Sequence, residues 1–194
     1  ATTALCAAPG HAEDALTLKP IEVEAAAERG DGPVEGYVAV RTRAGAKTDT
    51  PVEKIPQSIN VTPAAQIADQ GATSVAEALR YAPGVFTEYR GASNFHDEMF
   101  VRGFSYAPRF LDGLTYGSGS FGKVDPYLLE RVEVIKGPSS ILYGQVSPGG
   151  LVNLVTKAPT GDTGGEVRAT IGTANRLGLA GDVQGVFDNA GTLA

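Results

Sequence analysis

The sequence has one cysteine, one methionine, no tryptophan and two histidines in 194 residues. One cysteine cannot build an internal disulfide framework, and with only His11 and His96 beside it a Cys/His structural zinc site is excluded. His96, in Asn-Phe-His-Asp-Glu, reads as a loop residue rather than a ligand or base. Basic residues are also scarce. Sixteen Lys and Arg against 22 Asp and Glu leave a formal net charge of −6, the wrong sign for a surface that neutralises phosphates. There is no basic run and no RNA-binding aromatic signature, so nucleic acid is excluded as a partner. No stretch approaches the roughly twenty consecutive apolar residues of a membrane helix.

What is present supports a folded core: 42% of residues are hydrophobic and 20% charged. Glycine is abundant at 25 residues, which points to many turns, bulges and close backbone approaches. The first residues are small, apolar and uncharged up to Glu13. They read as the end of a secretory leader, residues 1–12, with Gly10 and Ala12 meeting the small-residue rule for cleavage before Glu13. Leu5 directly before Cys6 argues against a lipoprotein site. The chain is expected to be a piece of a longer exported protein.

Residues 13–50 read as an extended, poorly ordered arm without a sustained apolar period. Within it, Ile21, Val23 and Ala25 alternate with Glu22 and Glu24. Such a peptide suits strand addition to another protein's sheet edge, and a linker with a chance alternation fits as well. The folded part, residues 51–160, opens with a short strand closed by Pro63. Ser74 and Glu77 then form a capping box that starts a helix, which Pro83-Gly84 ends. Val85–Arg90 and Glu98–Phe104 read as strands. Asp112-Gly113 turns a hairpin. Strand, short helix and strand follow through Leu129–Lys136, Gly137–Gly144 and Leu151–Pro159, an α+β pattern rather than a doubly wound one. From 161 to 194 the texture changes to two alternating segments around Thr173–Arg176. Each is about the ~9–11 residues of a tilted membrane strand; a soluble hairpin fits the same alternation.

Motifs that carry chemistry elsewhere fail here on context. Gly117-Ser-Gly119-Ser-Phe-Gly122 matches a dinucleotide fingerprint, but no long helix opens at its last glycine. Gly137-Pro-Ser-Ser-Ile-Leu-Tyr-Gly144 lacks the Lys-Ser/Thr of a phosphate loop. Ser139 and Ser140 have neither a nucleophile elbow nor a histidine partner. Asp97 with Glu98, and Asp112 with Asp125, are acid pairs that nothing in the sequence brings to a catalytic separation. The chain does not read as an enzyme.

Four segments taken together carry a resemblance: Pro20-Ile-Glu-Val-Glu-Ala25, Val101-Arg-Gly-Phe104 followed by Phe110-Leu-Asp-Gly-Leu114, Asp125–Gly144, and Ser147–Pro159. They are similar to the N-terminal plug and barrel start of TonB-dependent outer-membrane siderophore receptors, closest in texture to those for ferrichrome, ferrioxamine or pyoverdine. The resemblance implies an α+β plug with a small mixed four-stranded sheet and short helices, followed by the first strands of a 22-stranded transmembrane β-barrel. It implies a periplasm-facing Ton box at Ile21, Glu22, Val23, Glu24 and Ala25. It implies ferric-siderophore contacts at Arg102, Tyr106, Tyr116, Gly117 and Phe121, and plug–barrel contacts at Arg131 and Lys136. The implied partners are a ferric siderophore, TonB, the chain's own barrel and outer-membrane lipid. No resident cofactor is implied, since iron arrives chelated. Two alternatives stay open. One is the same family with another cargo: a catecholate siderophore, cobalamin, haem or a nickel chelate. The other is a soluble periplasmic binding or signalling module.

Overall fold

The computed structural model describes residues 28–91, 96–116, 122–161, 163–173 and 175–185. The expected leader and Ton box, and Gly117 and Phe121 of the expected ligand loop, lie outside the described residues.

The centre is a mixed five-stranded sheet. Ser58–Pro63 (β3), Leu129–Lys136 (β8), Gly150–Thr156 (β9), Arg109–Leu111 (β6) and Leu114–Thr115 (β7) lie side by side in the order β3-β8-β9-β6-β7. All neighbours run antiparallel except β6 and β9. Four strands were expected; the fifth is the two-residue β7, the return arm of the Asp112-Gly113 turn. Both turn residues have positive φ, +50° and +79°, as a two-residue hairpin of the right twist requires. Register fixes two ends of the sheet. Lys136 sits opposite Gly150 and Ser58 at one end, and Leu129 opposite Thr156 at the other.

Each sheet face has its own cover. Val132 and Val134 of β8 and Val152 and Leu154 of β9 form one core with residues of the two short helices, Ala64–Asp69 (α1) and Val75–Ala78 (α2). Ile67, Val75, Ala78 and Leu79 are all buried there, each Val, Leu or Ile contributing about 1.5–3 kcal/mol. Pro63 does more than close β3: it is the N-cap of α1, where its missing N–H costs nothing. Ser74 caps α2, its Oγ accepting from the Glu77 N–H at 3.2 Å, while the Glu77 carboxylate accepts from the Thr73 N–H and hydroxyl. The capping box therefore closes one residue further back than the sequence pattern states.

The opposite face is covered by chain expected to be loose. Residues 28–51 lie across it, pinned by the two-residue ladder of Arg41–Thr42 (β1) and Thr50–Pro51 (β2). Ser140–Tyr143 (α3) joins them, and Ala44, Phe110, Ile135, Tyr143 and Leu151 make a second core. Between arm and sheet the contacts are mostly polar. Glu133 accepts from the Thr42 hydroxyl at 2.7 Å and from Asn153 at 2.9 Å, and the Tyr143 hydroxyl donates to the Ala44 carbonyl at 2.8 Å. A cleft of about 280 Å³ opens beside this seam, lined by Asp31, Arg43, Lys47, Glu133, Tyr143 and Asn153 among others.

Val85–Thr87 (β4) and Met99–Val101 (β5) pair apart from the main sheet. So do Gly164–Gly172 (β10) and Arg176–Gln184 (β11), which form a nine-pair antiparallel hairpin. No barrel closes around the described residues.

Candidate functional site

The end of the sheet marked by Lys136 and Gly150 gathers the chain's unusual loop residues. β5 hands the chain into a turn where Arg102 has φ +51° and Gly103 +82°. Tyr106 follows with φ +55°, half-exposed, and the chain re-enters the sheet at β6. Left-handed backbone at two non-glycine residues in five is uncommon and makes this loop a candidate site.

Arg102 and Tyr106 have separate settings. The Arg102 guanidinium lies over Gly137, 3.1 Å from where a Cβ would be, beside Lys136. Burial and the Arg102 charge together push the Lys136 ammonium below its ordinary range. Lys136 donates to the Pro83 carbonyl at 2.9 Å, and among the described residues neither cation meets a carboxylate. Tyr106 belongs to an aromatic cluster: its ring is 6.4 Å from Phe100, which packs edge-on against Tyr89 at 4.8 Å and Phe86 at 6.0 Å. A hydrogen bond with Tyr106 and partial burial raise the Tyr89 phenol above its usual pKa.

Arg90 sits on this cluster. Its Nε donates to the Tyr89 hydroxyl at 2.6 Å, its guanidinium stacks 5.1 Å from the Tyr89 ring, and Glu98 holds it at 3.2 Å. About half of the side chain is exposed. Sequence reasoning missed Arg90, because a lone arginine in a loop carries no pattern. The available signal was an aromatic next to an arginine, facing a carboxylate eight residues on. Tyr116 lies at the same end of the sheet, its N–H donating to the Arg109 carbonyl at 2.9 Å and its ring 5.5 Å from the Arg109 guanidinium. Thus Arg102, Tyr106 and Tyr116 share one end of the molecule, with Arg90 and Tyr89 added to them.

Arg131 is a correction. It was expected to face a barrel wall, yet it is completely buried inside this domain. Its guanidinium donates to the carbonyls of Arg41 (2.9 Å), Arg29 (3.0 Å) and Gly32, and lies 3.6 Å from the Glu28 carboxylate. The reason is periodic: on β8 the residues at 131, 133 and 135 point to the face covered by the arm. A charge there must find its partners in the arm. Glu133, two residues on, is likewise buried, and desolvation raises its pKa against the bonds from Thr42 and Asn153.

The arrangement offers an arginine- and tyrosine-rich rim at one end and a polar seam under a strap of chain on one face. Among the described residues no group of three or more His, Cys, Asp or Glu is placed to hold a metal ion. Residues 51–151 match the family model described as the TonB-dependent receptor plug domain, and the chain belongs to that family. It is 40% identical over 185 residues to the ferrichrome outer membrane transporter/phage receptor of Escherichia coli K12, covering 92% of this chain and 24% of that one. It is 44% identical over 150 residues to the ferrioxamine B receptor of Salmonella typhimurium SL1344, covering 74% of this chain and 21% of the receptor. The chain thus spans about a quarter of the length of these relatives. The crystal structure of the ferripyoverdine receptor of the outer membrane of Pseudomonas aeruginosa, bound to ferripyoverdine, superposes with a TM-score of 0.70 at 25% identity, covering 80% of this chain and 21% of that one.

Proposed function

We propose that the chain is the gate of a bacterial outer-membrane receptor that takes up ferric siderophores of the hydroxamate type, without making or breaking covalent bonds. The observation that carries this is the polarity of the domain. The chain enters beside Arg131 and leaves the sheet at Lys157, both at the Leu129–Thr156 end. Arg90, Arg102, Tyr106 and Tyr116 collect toward the other end. Force applied through residues 13–27 would act on the end away from the ligand.

In this reading residues 1–12 are a leader remnant, 13–50 carry the Ton box at Ile21–Ala25, 51–160 are the plug and 161–194 begin a 22-stranded barrel. The docked stretch from 28 to 50 moves with the plug until it is pulled. Arg90, Arg102, Tyr106 and Tyr116, with Gly117 and Phe121, meet the oxygen-rich rim of the chelate, where fixed guanidinium forks and aromatic faces suit a bulky anionic or neutral complex. Lys136 faces the barrel wall. TonB takes Ile21–Ala25 as an added strand from the periplasm. The relatives named for ferrichrome and ferrioxamine B support the hydroxamate cargo.

The test is a panel of ferric hydroxamates, ferric catecholates, haem and cobalamin offered to the full-length receptor, in cells lacking their own receptors. Uptake of ferrichrome or ferrioxamine B alone is expected, and uptake confined to catecholates, haem or cobalamin rejects the cargo. Arg102→Ala is expected to weaken ligand affinity at unchanged receptor abundance. An unchanged affinity removes Arg102 from the rim and leaves it grouped with Lys136.

A further inference from the structure

Asp97 and Glu98 are adjacent acids in the segment that leads into β5. Both are nearly inaccessible, at 2% and 4% exposure. Burying two carboxylates side by side is costly unless each is matched by charge and hydrogen bonds. Their neighbours in this extended segment point to opposite sides, and so do their partners.

Glu98 holds Arg90 at 3.2 Å, and Arg90 carries the Tyr89 hydroxyl and ring. Asp97 turns the other way. Its Oδ1 accepts from the Ala76 N–H at 3.3 Å, at the start of α2; its Oδ2 accepts from the Val124 N–H at 3.2 Å and lies 4.0 Å from the Arg109 guanidinium. Arg109, itself buried, donates to the Gly122 carbonyl at 3.2 Å and stacks on Tyr116. Tyr116 and Gly122 are the described residues that flank 117–121. One carboxylate therefore governs the Tyr89–Arg90 side of the rim, and its neighbour governs the Tyr116–Gly122 side.

We propose that Asp97 and Glu98 are positioning residues for ligand capture, each fixing one arginine so that the two sides of the rim are held at a set separation. This rests on the rim being the ferric-chelate site. Neither acid touches the ligand. They act by removing the freedom of Arg90, Tyr89 and Tyr116 before binding, which spares the ordering cost at the moment of capture. Burial raises the Asp97 pKa, and the Ala76 and Val124 N–H groups with the charges of Arg109 and Lys123 pull it back. A carboxylate so enclosed has little freedom of its own.

The experiment uses the full-length receptor with ferric ferrioxamine B and ferrichrome as probes. Both Kd and the KM and maximal rate of uptake are measured for Asp97→Asn, Glu98→Gln and Arg109→Lys. Each is expected to raise Kd and KM on the order of tenfold while the maximal rate per receptor stays at the wild-type value. The Asp97→Asn/Glu98→Gln double variant is expected to bind more weakly than either parent, because the two carboxylates pair with different arginines. A merely structural role would lower receptor abundance and leave Kd of the surviving receptor unchanged, and that outcome overturns the proposal. So does a double variant no worse than its worse parent. Arg109→Lys keeps the charge opposite Asp97 and carries the test if Asp97→Asn fails to reach the membrane. Wild-type receptor that binds no ferric chelate defeats the cargo reading and this proposal together; tight binding in wild type and variants alike defeats this one alone.

Discussion

Arg131 shows how much one side chain can hold. A guanidinium has five donors in a fixed fork, and here the fork gathers carbonyls from Arg29, Gly32 and Arg41, 90 to 102 residues upstream. Replacing it leaves those carbonyls and the Glu28 carboxylate facing an uncharged hole. The cost of breaking such a buried set is about 3–5 kcal/mol. Arg131→Met is therefore expected to release residues 28–51 while the β8–β9 ladder stays closed, since that ladder is held by its own backbone bonds and by Val132 and Val134 on the other face. Hydrogen exchange on the full-length receptor checks this. Amides of Val40 and Arg41, which bond the Glu28 carboxylate, should lose protection, and those of β9 should keep it. Uniform loss, or none, contradicts the role given to Arg131. Lysine is not a substitute, because a single ammonium cannot span three acceptors set around a plane.

The arm as an element behaves differently from the sheet it covers. Sheet and helices share an apolar core; arm and sheet share a polar seam centred on Glu133. The folded pKa of Glu133 is raised by burial, above its ordinary 4.5. A carboxylate shifted that way favours the folded state most strongly below 4.5 and loses that contribution as pH rises through the folded value. The arm should thus grip the sheet more tightly as pH falls from neutrality toward 4.5. Asp31 has the opposite sign. Against the upward pull of burial, the hydrogen bond to Arg43 and the charges of Arg29 and Arg43 hold it low. Its contribution is present above the ordinary 3.8 and is lost only below that window. Glu133→Gln removes the slope due to position 133. The urea concentration at which a protease cuts the arm of the full-length receptor reads it: wild type should gain on the Gln variant on acidification. Parallel curves would exclude Glu133 as the titrating group. The same element explains what was and was not legible. β8, β9, α3, both tight hairpins and the helix capped by Ser74 were readable because their signals are local: alternation, capping residues and an Asp-Gly turn. The docking of 28–51 was not, because its partners lie at 131, 133, 143 and 153. α1 was hidden because Pro63 ends one element and begins the next. Arg102, Tyr106 and Tyr116 are named through a resemblance and lie toward one end of the sheet, whereas the pairing of Arg90 with Glu98 and of Arg109 with Asp97 depends on side-chain meetings that no spacing encodes. The resemblance implies a plug–barrel contact for Arg131, whereas a strand buried on both faces leaves a charge nowhere to go but inward.

The whole molecule has a surface that its own described residues do not cover. In the β10–β11 hairpin, Val167, Ile171, Leu177, Leu179 and Val183 share one face, and each is 75–83% exposed. Glu166 and Asp182 are paired on the other face, and Lys157, just past β9, bonds Asp182 at 3.3 Å and Glu166 at 3.7 Å. The polar face is thus turned toward the plug and the apolar face away from it. Water does not reward that arrangement, because an exposed apolar patch of five large side chains is a liability in a soluble domain. Lipid does, provided the strands close into a barrel whose wall alternates apolar outside and polar inside. The two environments are separated by one pair of substitutions. Leu179→Arg places a charge on the apolar face; near the bilayer midplane that costs about 2–4 kcal/mol and should deplete the full-length receptor from the outer membrane. Thr170→Arg, on the polar face shared with Glu166 and Arg168, meets water and should leave abundance near wild type. Immunodetection in purified outer membranes decides between them. Equal abundance of the two variants would mean that the apolar face does not meet lipid, and a soluble hairpin would then be the better reading of residues 164–184.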